Sequence, residues 1–179
     1  MHHLQKQGAH IVKRESSSNI QLYNREVFEV LLEYEMNRSQ RYPSPICLLH
    51  ILINPGRQTT ESQQAMDAEI SAQLNSHLRS VDIPAKIGDQ YLVLLPTTDE
   101  RGGRAVCERI LSIFKGLLHS EAGTTFSVSV FIGLAFHPGG TDLSSAILNQ
   151  QAASALKHAL QQGLPTYTAY SDIQDKTTN

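Results

Sequence analysis

Three observations predict an α+β domain whose mixed or antiparallel sheet is covered by helices. Segments of helical and strand periodicity alternate along the chain, a tight hairpin interrupts the alternation midway, and the longest strand-like run comes late, before a final amphipathic helix. The hairpin argues against a purely parallel sheet, whose strands need long crossovers.

The elements follow in order. From Glu26 to about Arg41, Val27, Leu31 and Tyr34, with Phe28 and Leu32 alongside, recur at helical spacing and stop before Pro43. "ICLLHILI", Ile46 to Ile53, is a short apolar run between Pro45 and Asn54-Pro55-Gly56, which suits a central strand. Met66, Ile70, Leu74 and Leu78 step by four through a helix from about Glu61 to Arg79. In "DIPAKIGDQYLVLLP", Ile83–Ile87 and Tyr91–Leu95 are the arms of a hairpin around a Gly-Asp-Gln tip. Thr97 with Glu100 reads as a capping box opening a helix through Val106, Ile110, Phe114 and Leu117. "TFSVSVFIGLAF", Thr125 to Phe136, is the long strand, with Gly133 as a bulge or close-approach position. A last helix from about Leu143 to Gln162 places Ile147, Leu156 and Leu160 on one side and ends at Gly163. "TYTAY", Thr166 to Tyr170, closes the sheet.

Composition narrows the function. The chain's 179 residues suit one domain of ordinary size, read as residues 21–172 between a polar tail or linker (1–20) and a short C-terminal tail (173–179). Fifteen basic against seventeen acidic residues, without a basic run, argue against a nucleic-acid partner. No window reaches the apolar length of a membrane span, and the opening residues lack a signal-peptide core. Cys47 and Cys107 have no metal-ligand spacing and read as buried thiols of a cytoplasmic protein. The eight histidines are scattered, so neither a metal nor another cofactor is expected; His50 reads as a core or sheet-face residue.

In order and spacing, "LYNR", "RYPSPICLLHILI", "DIPAKIGDQYLVLLPTTDE", "VCERI", "VSVFIGLAFHP" and "AASALKHALQQG" together resemble the GGDEF domain of diguanylate cyclases, which join two GTP molecules into cyclic di-GMP. The resemblance runs from about Leu22 to Tyr170. It implies a ferredoxin-like, nucleotidyl-cyclase-like core with an extra hairpin. It also implies where catalytic residues should stand. A metal-binding aspartate near the end of the first strand corresponds to Leu52, and a second acid to Asn54. "PGRQTTE" has no match to the family's phenylalanine, lysine and guanine-reading asparagine. One signature glycine is deleted: Gly88 is kept, Asp89 stands for the aspartate, Gln90 for the glutamate and Tyr91 for the phenylalanine. The triphosphate-steadying lysine and arginine map near Leu160 and Leu164. Hard cations want oxygen ligands, so the resemblance read residue by residue implies a degenerate, catalytically inactive domain. Asp67, Glu69, Asp99 and Glu100 read as solvated or helix-cap acids, not displaced metal ligands.

A second family element is retained. "RSVD", Arg79 to Asp82, stands six residues before Gly88, matching the Arg-x-x-Asp inhibitory site where cyclic di-GMP docks, and Arg109 falls where a second arginine usually joins. A guanidinium can donate paired hydrogen bonds to guanine O6 and N7 or to phosphate, and an aspartate can accept from guanine N1 and N2. The expectation is therefore a cyclic di-GMP receptor acting through Arg79, Asp82 and Arg109 and signalling to a protein partner. A homodimer is among the expected partners because the family works in pairs. The alternatives are a ligand-free interaction or dimerisation scaffold and, behind it, a residual cyclase or GTP-binding regulator.

Overall fold

The computed structural model describes residues 22–55, 60–119, 123 and 125–177. The expected tail or linker of residues 1–20 and residues 56–59 of "PGRQTTE" lie outside them. The elements are α1 (Arg25–Arg41), β1 (Ile46–Pro55), α2 (Thr60–His77), β2 (Ile83–Ile87), β3 (Gln90–Pro96), α3 (Glu100–Ile113), β4 (Leu117–His119), β5 (Thr125–His137), α4 (Ser145–Gln161), β6 (Thr166–Ala169) and α5 (Tyr170–Thr177).

The sheet runs β2-β3-β1-β5-β4, and β6 also pairs with β5. All pairings between these strands are antiparallel except β5 with β6, so the predicted mixed sheet is present. Thirteen-residue β5 serves two partners on one edge, β4 through Thr125–Ser127 and β6 through Phe131–Leu134, which is why it is the longest strand. Central β1 is covered on both faces. Cys47, Leu49, Ile51 and Ile53 pack with Met66, Ile70 and Leu74 of α2 and Val106 and Ile110 of α3. Ile46 and Leu48 pack with Phe28, Leu32 and Met36 of α1 and Leu148 and Ala152 of α4. Both thiols are buried and free, as expected, and burial pushes the Cys47 thiol up to about 12.

Several expectations need correction. α3 opens at Asp99, whose carboxylate accepts from Gly102 N at 2.7 Å. Thr97 cannot cap it, since Thr97 has φ 51°, a strained conformation for a β-branched residue. Leu117 belongs to β4 because the chain leaves the helix at Phe114 and turns at Gly116 with φ 119°. Tyr170 starts α5, which runs to Thr177, so the expected tail is largely helical. On α1 the buried positions are Phe28, Leu32 and Met36, whereas Val27 and Tyr34 face solvent. On α4, Ile147 and Leu160 are exposed.

Gly133 proves to be a close-approach position: a Cβ there would lie 2.1 Å from Ala152 O and 2.2 Å from Leu156 N. α4 therefore rests on the β5 backbone itself. Gly133→Ala is expected to push the helix off the sheet and cost about 3 kcal/mol, the upper end for overpacking; urea unfolding against the wild type measures it.

Candidate functional site

The hairpin joining β2 and β3 closes through the pair Ile87 and Gln90, leaving only Gly88 and Asp89 in the turn. Gly88 has φ 64° and Asp89 does not share a positive φ, the pattern of a type II′ turn with glycine first. β1–β3 register then sets Leu52 directly opposite Gln90. On its other side Leu52 is paired with Phe131, and it packs against Phe131, Leu156 and Ala159. At the strand end Asn54 is exposed, as is Asp89 at the tip. Leu160 and Leu164 place hydrocarbon at the surface, Leu164 being 72% exposed. Among the described residues no group of three or more His, Cys, Asp or Glu side chains is placed to hold a metal ion. A divalent cation here would meet one carboxylate, two neutral amides and a leucine, a donor set that does not fit a hard metal.

Gln90 turns to a different partner. His50 hydrogen-bonds both Gln90 and Asn149, the latter through Nε2 at 2.8 Å from Oδ1, so Nε2 carries the proton. This group lines a cleft of about 400 Å³ with Arg25, Glu29 and Leu92. Burial lowers the His50 pKa, and the two hydrogen bonds only partly oppose it. Across the sheet, Lys86 Nζ lies 2.5 Å from Asp67 Oδ2 and 5.4 Å from the Tyr91 ring centre, while Tyr91 OH donates to Asp67 Oδ1 at 3.2 Å. Burial and then Asp67 hold the Tyr91 phenol protonated well above its usual range. These three residues line a cleft of about 240 Å³ with Asn54, Gln63 and Asp89. Asp67 is thus a paired, partly buried acid, not the freely solvated one expected. Lys86 and Tyr91 are cross-strand partners, which the hairpin alone foretells, but Asp67 reaches them only through the docking of α2.

Arg79 and Asp82 are brought together at the end of α2. Asp82 Oδ2 accepts from Arg79 N at 2.8 Å, and Oδ1 accepts from Arg79 Nε at 3.1 Å and Nη2 at 2.8 Å. Arg79 Nη2 also donates to Thr98 Oγ1 at 2.6 Å, tying α2 to the loop before α3. The Asp82 side chain is 0% exposed, whereas the Arg79 side chain keeps 49%. Asp82 therefore offers no oxygen to solvent; it fixes the guanidinium. Arg109 is exposed on α3, ten residues beyond the Asp99 cap, a rise of about 15 Å. Among the described residues no side chain forms a hydrogen bond or ion pair with it, Arg79 and Asp82 included.

This fold and hairpin are those of a nucleotide-signalling class. The family model described as "Diguanylate cyclase, GGDEF domain" matches residues 20–165, and the chain belongs to that family. Among solved structures it is similar to the GGDEF domain of YfiN (TpbB) from Pseudomonas aeruginosa, with TM-score 0.71 and 24% identity over 84% of this chain and 97% of that one. The FimX GGDEF domain from the same organism gives 0.68 and 17%, over 87% and 98%. The GGDEF domain of DgcB from Caulobacter crescentus, in complex with c-di-GMP, gives 0.66 and 16%, over 89% and 99%. Such identities establish the common fold. Among curated proteins no match was found. Among the described residues no helix is long and apolar enough to cross a membrane.

Two expectations follow from this geometry. Arg79→Ala leaves the buried Asp82 carboxylate without its counter-ion and is expected to cost about 3–5 kcal/mol, whereas Asp82→Asn, which leaves a half-exposed arginine, costs about 2 kcal/mol; chemical denaturation of the two variants reads the asymmetry. Because the folded-state His50 pKa lies below its unfolded value near 6.5, the unfolded chain binds more protons on acidification, so stability falls as pH drops below about 6.5. Thermal midpoints between pH 7.5 and about pH 5 should show this slope, and His50→Gln should flatten it.

Proposed function

We propose that this GGDEF domain makes no cyclic di-GMP but binds it through Arg79 and Arg109, with Asp82 as the positioning residue, and relays occupancy to a protein partner. The observation that carries the reading is the Arg79 guanidinium, gripped by a fully buried Asp82 yet half open to solvent. Such a group is preorganised, so little side-chain entropy is lost when a ligand arrives. It can present paired donors to guanine O6 and N7 or to a phosphate. Arg109, exposed and without a side-chain partner among the described residues, suits a second contact to the same ligand, as two stacked cyclic dinucleotides would need.

Phosphoryl transfer needs metal held by carboxylates to neutralise the triphosphate and the attacking oxygen. Leu52 cannot supply one, and Asn54 and Gln90 supply uncharged oxygens only. Asp67, a further acid lining the cleft beside Asn54 and Asp89, is already paired with Lys86. These features favour a silent cleft. The same-fold DgcB domain binds c-di-GMP, and SiaD, another GGDEF-fold cyclase, binds a protein activator, so both halves of the reading have precedent in the family.

A second reading has one observation in its favour. Arg79 also bonds Thr98 and the Pro96 carbonyl, so the pair could serve only to clip α2 to β3 in a ligand-free scaffold. Calorimetry separates the two. Cyclic di-GMP should give a saturable heat, and Arg109→Ala, which removes no intramolecular hydrogen bond or ion pair among the described residues, should weaken binding about tenfold or more with the thermal midpoint unchanged. An absence of heat at high micromolar ligand contradicts the receptor reading and favours the scaffold. Incubation with GTP and magnesium should yield no cyclic di-GMP, and steady turnover would refute the silent cleft.

A further inference from the structure

A guanidinium carries five N–H groups, arranged as two edges that can each give a parallel pair of hydrogen bonds: Nε with Nη2 along one side, and Nη2 with Nη1 across the end. In Arg79 the side edge is spent within the chain, since Asp82 Oδ1 accepts from Nε at 3.1 Å and from Nη2 at 2.8 Å. The end edge is half spent. The second Nη2 hydrogen goes to Thr98 Oγ1 at 2.6 Å, with the Pro96 carbonyl oxygen beside it at 3.4 Å. Among the described residues no acceptor meets Nη1, whose two hydrogens are the donors left over. Thr98 is held firmly in this role. It is 7% exposed, its N–H donates to Pro45 O at 2.9 Å, and its carbonyl lies 3.4 Å from the Cys47 thiol that donates to it. Its hydroxyl proton goes to Pro96 O at 3.0 Å, so what Arg79 meets is an oxygen lone pair fixed in direction.

We infer that Thr98 sets the ligand specificity of Arg79: with Nη2 taken, Arg79 binds through the single nitrogen Nη1 to a phosphodiester oxygen, and the reading of guanine falls to Arg109. This rests on the receptor reading above and narrows it. Guanine O6 and N7 are read by two parallel donors, and an edge with one nitrogen already occupied cannot supply them. A phosphate oxygen needs no second donor, because its charge strengthens each bond that it accepts. Arg109, exposed and without a hydrogen bond or ion pair among the described residues, keeps both of its edges for the base. Thr98 itself touches no ligand; it is a positioning residue that acts through Arg79.

Calorimetry of the full chain with cyclic di-GMP and two analogues tests this, one with carbon in place of guanine N7 and one with sulfur in place of the non-bridging phosphate oxygens. In Arg109→Ala, removal of N7 should leave the affinity unchanged, whereas the sulfur substitution should weaken binding about fivefold. Adding Thr98→Val, which keeps the shape and removes the acceptor, frees the end edge of Arg79, so N7 removal should now weaken binding about fivefold. Thr98→Ser in its place should keep the indifference to N7. A merely structural Thr98 would lower the thermal midpoint in Thr98→Val and leave the response to N7 as it was. Should Thr98→Val not fold, the two analogues on Arg109→Ala decide alone. The inference is overturned, with cyclic di-GMP binding by the wild type left standing, if Arg109→Ala discriminates N7, ignores the sulfur substitution or binds nothing, or if Thr98→Val stays indifferent to N7. A wild type that gives no heat with cyclic di-GMP overturns the receptor reading and this inference together.

Discussion

The antiparallel register of β1 with β3 is the constraint on which the rest of the molecule depends. β1 is hydrogen-bonded on both edges and covered on both faces, so a one-residue slide would exchange the side chains packed beneath α2 and α3 with those packed beneath α1 and α4. The two-residue turn at Gly88 and Asp89 then leaves no freedom at the hairpin tip, and Gln90 must stand opposite Leu52. Apolar contacts from β5 and α4 fill the space around that leucine. The register therefore brings a hydrocarbon and an amide side chain to that junction.

The two best-defined charged clusters make different uses of the same physics. A carboxylate removed from water must be neutralised nearby. Asp67, only partly withdrawn from water, is paired by Lys86 and accepts a hydrogen bond from the Tyr91 phenol, so the groups in that cleft satisfy each other. Arg79 neutralises Asp82, but there the cation stays half exposed while the anion is hidden, so positive character is turned outward. The first arrangement has little left to offer a ligand; the second has donors in reserve. A similar contrast divides α1, where one apolar face completes the core and the other meets water.

Most of the architecture was legible because periodicity carries it. β1 as a short apolar run, the hairpin arms, the long β5 and the stop of α4 before Gly163 all follow from spacing and turn chemistry, and Gly163 does adopt a positive φ of 73°. The misreadings fall where packing overrides local pattern. Val27, Leu31 and Tyr34 fit helical spacing as well as Phe28, Leu32 and Met36 do, and only the sheet selects between them. Leu117 continued a helical stripe until Gly116 broke it, and a three-residue strand such as β4 has no period to detect. At the candidate site, residue types could be read off the sequence, including Leu52, Gln90 and the Arg79–Asp82 pair. The direction of the Asp82 carboxylate could not, since spacing of three says that the pair can meet but not that the carboxylate is fully buried against the Arg79 backbone and guanidinium. Asp67 joined Lys86 only through tertiary docking, and the Asn149–His50–Gln90 chain joins residues from three elements.

The central claim is that the nucleotide cleft is silent while Arg79 and Arg109 remain competent to grip guanine. Its most direct measurement is side-chain NMR of the arginine Nε–H and glutamine amide groups during separate titrations with cyclic di-GMP and with magnesium-GTP. The account predicts saturable shifts at Arg79 and Arg109 with the cyclic dinucleotide and none at Gln90 with magnesium-GTP. Shifts at Gln90 with magnesium-GTP, alongside arginines indifferent to the cyclic dinucleotide, would contradict it.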